Sequence, residues 1–222
     1  MRRRTLDITF AAGGLLVAGL LAVLGLMLMN ENAFARNYVK EEMAAQKIVF
    51  ATAEKLTDAE KNWKPGSSCL VTYAGQQMET GAQAECYAKY FIREHMDAAA
   101  KNAGFPGATY ATLGGIRSDL TAQINAAKQR GDTGAAADLQ KKFDAATSLR
   151  STMQSGETLS GMLLTVYGFS VIGEKAGLAA NIMYALAGLM AFLAIAGFVH
   201  AFVTPKEKLV FGPLGQPVPR GI

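Results

Sequence analysis

Cys69 and Cys86 are the only cysteines in the chain, and His95 and His200 the only histidines, so redox, thiolate-metal or imidazole chemistry runs through four positions. Two thiols can close a disulfide, act as a redox couple or hold a soft metal. A thioredoxin-like couple needs a CxxC spacing that this pair lacks, and a thiolate metal site needs further ligands that are hard to find here. A disulfide between Cys69 and Cys86 is the expected chemistry wherever the compartment is oxidising. His95 falls on an apolar stripe one turn after Phe91, which predicts a buried, hydrogen-bonded histidine rather than a general base or a metal ligand. No GxSxG elbow, P-loop or dinucleotide glycine motif occurs. The glycines of Tyr73-Ala74-Gly75-Gln76-Gln77-Met78-Glu79-Thr80-Gly81 read as a turn into a helix start, a weak place for an anion.

Two apolar runs decide where these residues sit. Ile8 to Met29 holds no charged residue, and 22 helical residues reach about 33 Å, enough for a hydrocarbon core of about 30 Å. Ala176 to Val203 is interrupted only by Asn181 and His200 and would cross about 40 Å if straight, so it spans with tilt or projects past the lipid. The N-terminal run competes with a secretory signal, because Met1 to Arg4 is a positive n-region and Ala33-Phe34-Ala35 mimics a cleavage site. It is longer than the usual signal core, and Asn30 and Glu31 precede the cut, so the reading is an uncleaved anchor.

The charges then set an orientation. The ends carry Arg2, Arg3, Arg4 and Asp7 before the first span and Lys206, Glu207, Lys208 and Arg220 after the second. Of the chain's 22 basic and 18 acidic residues, this leaves 16 of each between the spans, so the ends hold the whole net charge of +4. Positive ends and a neutral middle put both termini in the cytoplasm and the middle outside it. The expected organisation is a cytoplasmic N-terminus (1–7), a transmembrane helix (8–29), an extracytoplasmic helical domain (30–175), a second transmembrane helix (176–203) and a cytoplasmic tail (204–222). The basic balance thus reflects topology and not nucleic-acid binding. With His95 and His200 on opposite sides of the membrane, bis-histidine haem, three-histidine zinc and the two-histidine, one-carboxylate iron triad are excluded together. No cofactor, metal or catalytic set is expected.

The middle domain reads as helical nearly throughout, an all-α bundle between the spans. Val39, Met43 and Phe50 continue the anchor helix on one face. Thr57-Asp58-Ala59-Glu60 has the form of a capping box, opening a short helix that stops before Pro65-Gly66. From Thr80 to Asn102 the residues Ala84, Tyr87, Ala88, Phe91, His95 and Ala98 form a buried stripe. Gly104, Pro106 and Gly107 mark a loop. Two further stripes, Ile116, Leu120, Ile124 and then Leu139, Phe143, Ala146, Leu149, Met153, flank Arg130 to Gly134 as a helical hairpin, with Asp132 or Thr133 capping the return. Leu159, Met162, Leu163, Val166, Tyr167 and Ile172 predict a core helix, or one at the bilayer surface, that ends at Gly173-Glu174-Lys175. Cys69 to Tyr73 is the one run with β character. The disulfide would tie the Trp63 loop to the Thr80 helix. Gly14, Ala18 and Ala22 make a small-xxx-small ridge on the first span, and Ala187 with Ala191 a weaker one on the second, for packing on each other or on another membrane protein.

Across most of its length the chain resembles a family of actinobacterial two-span membrane proteins without a defined function. The residues that carry the likeness are Arg4-Thr5-Leu6-Asp7, Tyr73-Ala74-Gly75-Gln76-Gln77, Thr80-Gly81-Ala82-Gln83-Ala84, Tyr87-Ala88, Phe91-Ile92, His95, Thr109-Tyr110-Ala111, and Gly156-Glu157-Thr158-Leu159 running into Tyr167. Some relatives bear the label aromatic ring-opening dioxygenase, which the ligand count here contradicts. The stretch from Ala126 to Ala146 departs from the family pattern as an insertion. The expected function is a non-catalytic accessory or scaffolding subunit of a larger plasma-membrane complex, with a respiratory-chain supercomplex as one conceivable host. Its partners would be that complex and lipids, with a homo-oligomer as a further option and no nucleic acid. The alternative is an extracytoplasmic ligand sensor signalling through a partner, since the tail is too short for an output module.

Overall fold

A computed structural model describes residues 2–62 and 68–205. The regular elements are helices: α1 (Arg3–Ala45), α2 (Asp58–Asn62), α3 (Ser68–Thr72), α4 (Gly81–Cys86), a π-helical stretch (Tyr87–Ile92), α5 (Arg93–Asn102), α6 (Tyr110–Gln129) and α7 (Thr133–Val203). The protein is all-α, with two long apolar helices at its ends flanking shorter ones. Both α1 and α7 are long and apolar enough to cross a membrane. Trp63, the Pro65-Gly66 stop and the charges of the tail from Lys206 onward lie outside the described residues.

Two expectations about elements are corrected. Cys69 to Thr72 is helical, within α3: without a partner strand the segment satisfies its amides internally, and Tyr73, in the turn that follows, donates its N–H to the Cys69 carbonyl at 2.9 Å. A lone antiparallel bridge, Val49 to Gln77, is the sheet-like pairing found among the described residues. The segment from Leu159 to Ile172 is not a separate helix. It belongs to the 71-residue α7, which passes through Gly173-Glu174-Lys175 unbroken. No proline interrupts α7, and Gly173 is a packing residue rather than a stop.

The chain divides into two compact units, Met1–Ala35 with Ile172–Ile222, and Arg36–Val171. In the first, α1 and α7 run antiparallel, because the contacts advance along one helix as they recede along the other. Ala11 meets Gly197, Gly14 meets Ala194, Gly25 meets Tyr184, Asn32 meets Gly177 and Ala35 meets Gly173. On α7 the buried Ala180, Ala187, Ala194 and Ala201 recur every seven residues, the repeat of a coiled-coil seam built from small side chains. The ridge expected at Gly14, Ala18 and Ala22 divides between the seam and the outward face. Gly14 and Ala18 lie in the seam, but Ala22 is exposed. Steps of four drift round an α-helix, whereas alternating steps of three and four stay in line, so the buried Gly25 takes the next place.

The second unit has its own core. Val39 and Met43 of α1 meet Phe50, Leu56, Leu70, Met78, Leu113, Leu120, Leu149, Met153 and Leu163, all buried. Of the apolar face expected from Leu159 onward, Leu163 is buried while Leu159 and Met162 are exposed. Helix ends follow local chemistry. Asp132 Oδ1 accepts from Ala135 N–H at 2.9 Å and is the cap of α7. Gly131, at φ 74°, ends α6 with Asp132 N–H bonded back to the Ala127 carbonyl at 3.0 Å, a closure that requires the left-handed region glycine tolerates. Arg150 lies over the Tyr110 ring at 3.9 Å, fastening α6 to α7.

Candidate functional site

The side chains with chemistry in the second unit are gathered by the run from α4 through the π-helical stretch into α5. Its start is fixed by a reciprocal cap: Gln83 N–H donates to Thr80 Oγ1 at 3.2 Å while Gln83 Oε1 accepts from the Thr80 and Glu79 amides at 3.0 and 2.8 Å. The Glu79, Thr80 and Gln83 amides are therefore engaged by the chain itself. A methyl group at Gly81 would overlap the Ser170 side chain and stand 3.3 Å from Tyr167 Cα, so glycine lets this start press onto α7. Cys69 and Cys86 are joined as a disulfide with Cα atoms 6.1 Å apart, tying α3 to the end of α4.

The π-helical stretch changes which face is buried. Ala84, Ala88, Ile92, Met96 and Ala100 are all buried at steps of four. In an α-helix such a row drifts by about 40° per step. The wider turn of i→i+5 bonding takes up that drift and keeps the row on the core. A residue three beyond a member of that row is moved to the edge, so His95, three after Ile92, is exposed, with 58% of its side chain accessible, and the expectation of a buried histidine is corrected. It is still hydrogen-bonded, with Nδ1 2.9 Å from the Phe91 carbonyl. A carbonyl only accepts, so Nδ1 carries the proton and Nε2 is left free. Tyr87, Phe91 and His95 form a column, with ring centroids 4.4 and 4.2 Å apart. Burial against this column raises the Tyr87 phenol above its ordinary pKa of 10.0.

Two clefts open beside His95. One, about 340 Å³, is apolar and lies between Tyr87, Phe91 and Met96 on one side and Gly156 and Leu159 of α7 on the other. The second, about 370 Å³, is lined by Lys55, Glu60, Phe91, Glu94, His95 and Ala98. Glu60 is the capping-box residue of α2, and its Oε2 accepts from Thr57 N–H at 2.7 Å and Thr57 Oγ1 at 2.9 Å. Its side chain is only 7% exposed, and Oε1 faces His95 Nδ1 at 3.9 Å. Glu94 Oε2 is buried without a hydrogen-bond partner among the described residues.

In the other unit, Asp7 and His200 approach at the free end of the helix pair, Oδ2 to Nε2 3.8 Å, beside a groove of about 240 Å³ that runs past Gly14 and Ala194. Sequence reasoning placed His200 in the second apolar run, on the other side of the membrane from His95, but did not pair it. The sevenfold alanine repeat made a helix seam legible, but it allows registers seven residues apart and so did not by itself select this pairing. The groups around Glu60 had no such signal, because 34 residues separate Glu60 from Glu94 and the π-helical stretch intervenes. Among the described residues no group of three or more His, Cys, Asp or Glu side chains is arranged to hold a metal ion. No known protein family, curated protein or solved structure matches the chain.

Proposed function

We propose that the chain is a two-span protein of a bacterial plasma membrane with both termini in the cytoplasm, acting as a non-catalytic accessory or scaffolding subunit of a larger membrane complex. Support for membrane insertion comes from surface chemistry. The most apolar stretch of each long helix is only 11% buried, and residues such as Leu16, Phe10, Phe192 and Phe202 point outward. A core helix of a water-soluble protein would hide them, and lipid removes that cost. Topology is supported by the positive ends and by the antiparallel helix pair, which brings Asp7 and His200 together at one end.

The observation that carries the accessory role is the apolar notch against α7. Leu159, 40% exposed, forms its rim, and Met162, 63% exposed, stands one turn on, outside the stretch taken to cross the bilayer. An apolar notch with an exposed rim fits a side chain from a partner. The small residues of the span seam are occupied within the chain, so a partner would meet the outward faces, and lipid or a second copy competes for them. Actinobacterial kinship, and a respiratory-chain supercomplex as host, belong to the same proposal.

A photo-crosslinking residue at Met162, used in native membranes and followed by purification in mild detergent, tests the role. A discrete heavier adduct to another membrane protein is expected. Recovery of the chain alone, with no adduct, overturns it. The cleft around Glu60 and Glu94 favours a second reading, an extracytoplasmic ligand sensor whose output lies in a partner.

A further inference from the structure

We infer that the partner of the accessory role, on which this inference rests, inserts a tryptophan side chain into the notch between the aromatic column and α7. The notch, about 340 Å³, lies at the small end of ligand-site volumes. One wall is the column of Tyr87, Phe91 and His95, a surface on which a further ring can pack. The buried Met96 lines it as well, and it reaches α7 because Gly156 has no side chain: a Cβ there would overlap the Met96 sulfur. A thioether beside an aromatic ring is a favourable pairing. The notch stands on the part of α7 that precedes the stretch taken to cross the bilayer, so its occupant comes from a protein and not from acyl chains.

The polar side chains at the rim choose among large residues. Four line the notch, and three of them have committed their donors. His95 Nδ1 donates to the Phe91 carbonyl at 2.9 Å, Thr152 Oγ1 to the Ser148 carbonyl at 3.3 Å and Ser155 Oγ to the Ser151 carbonyl at 3.1 Å. The imidazole Nε2 and the two hydroxyl oxygens are thus left as acceptors, while Tyr87 keeps its own hydroxyl. A leucine or phenylalanine would cover these acceptors from water without answering them. An arginine could donate, but no carboxylate lines the notch among the described residues, and a guanidinium desolvated without a counter-charge is costly. Indole joins a broad apolar ring to one N–H that donates and never accepts, and tryptophan is among the residues that most often anchor an interface. His95 Nε2 is the acceptor assigned to that N–H, because it belongs to the aromatic wall itself.

The full-length protein in detergent, with isotope-labelled methionine methyl groups, is titrated with three probes: N-acetyltryptophanamide, its N-methylindole analogue, which lacks the N–H, and N-acetylargininamide. A saturable shift of the Met96 methyl resonance is expected with the first, at an affinity about two- to tenfold greater than for the analogue, the worth of one hydrogen bond. His95→Phe, which keeps a ring at the end of the column, should bring the two tryptophan probes to equal affinity, a coupling that a merely structural change would not give. Ser155→Trp, at an exposed position on the notch, should abolish binding of both and keeps the test decisive if His95→Phe folds poorly. No saturable shift at millimolar concentration, equal binding of the two tryptophan probes to the natural chain, or tighter binding of the arginine probe overturns the inference. A Met162 adduct that forms undisturbed by N-acetyltryptophanamide also overturns it, while the accessory role stands. A bound probe with no adduct in the membrane removes the accessory role and the partner's tryptophan with it, and leaves the notch as a site for a free indole.

Discussion

Gly173 of α7 lies so close to Ala35 of α1 that a Cβ added at 173 would overlap the Ala35 methyl group, which has no torsion by which to swing aside. Gly173→Ala should therefore weaken the helix pair by about 1–3 kcal/mol, the usual cost of overpacking. Gly188, on the same helix, has nothing near its missing side chain, so Gly188→Ala should be neutral or gain up to about 1 kcal/mol of helix propensity. Unfolding by SDS titration from mild-detergent micelles, followed by circular dichroism, separates the two. Equal effects would count against the seam.

The disulfide closes a loop whose ends are 17 residues apart. In the chain-entropy account such a closure contributes about 3 kcal/mol. The double replacement Cys69→Ser, Cys86→Ser should lower stability in urea by that order. Reductant should weaken the natural chain similarly and leave the double variant unmoved.

Tyr87 supplies a pH dependence. Its phenol is raised in the folded state by desolvation alone, so the stabilisation is complete below the unfolded value of about 10 and fades as pH rises through the higher folded value. The protein should lose stability on the alkaline side of pH 10 by more than Tyr87→Phe does. Melting curves across that range measure it, and identical alkaline losses in both proteins would contradict the burial.

Orientation is open to labelling. With single cysteines added in place of Lys141 and Arg3 on the disulfide-bonded chain, an impermeant maleimide added to intact cells should modify position 141 and leave position 3 untouched until the membrane is opened. Both reacting from outside would remove the two-crossing topology.

Much of the architecture could be read from residue order, because it rests on signals local to the chain. The uncharged run from Ile8 to Met29, the Thr57–Glu60 box and the Asp132 cap each sit within a few residues and appear in the structure as expected. The disulfide partners were forced by there being only two. What was missed depends on long-range packing. Helicity of Cys69 to Thr72 follows from a missing strand partner, which a β-prone run cannot reveal. The exposure of His95 follows from one widened turn that alters the phase of everything after it. The continuity of α7 through Gly173 depends on Ala35, 138 positions away, and glycine in isolation reads as a stop. Glu60 and Glu94 line one cleft only because separate helices fold together.

The sevenfold alanine spacing leaves the helix pair nearly indifferent to sliding: displace α7 by seven residues and one buried methyl group replaces another. Two unlike contacts break that degeneracy, the Tyr184 ring seated on Gly25 and the Asn32 amide filling the space beside Gly177. They act as a vernier on an otherwise uniform scale, so exchanging both glycines for alanine would leave two helices still attracted to each other but no longer certain where to stop.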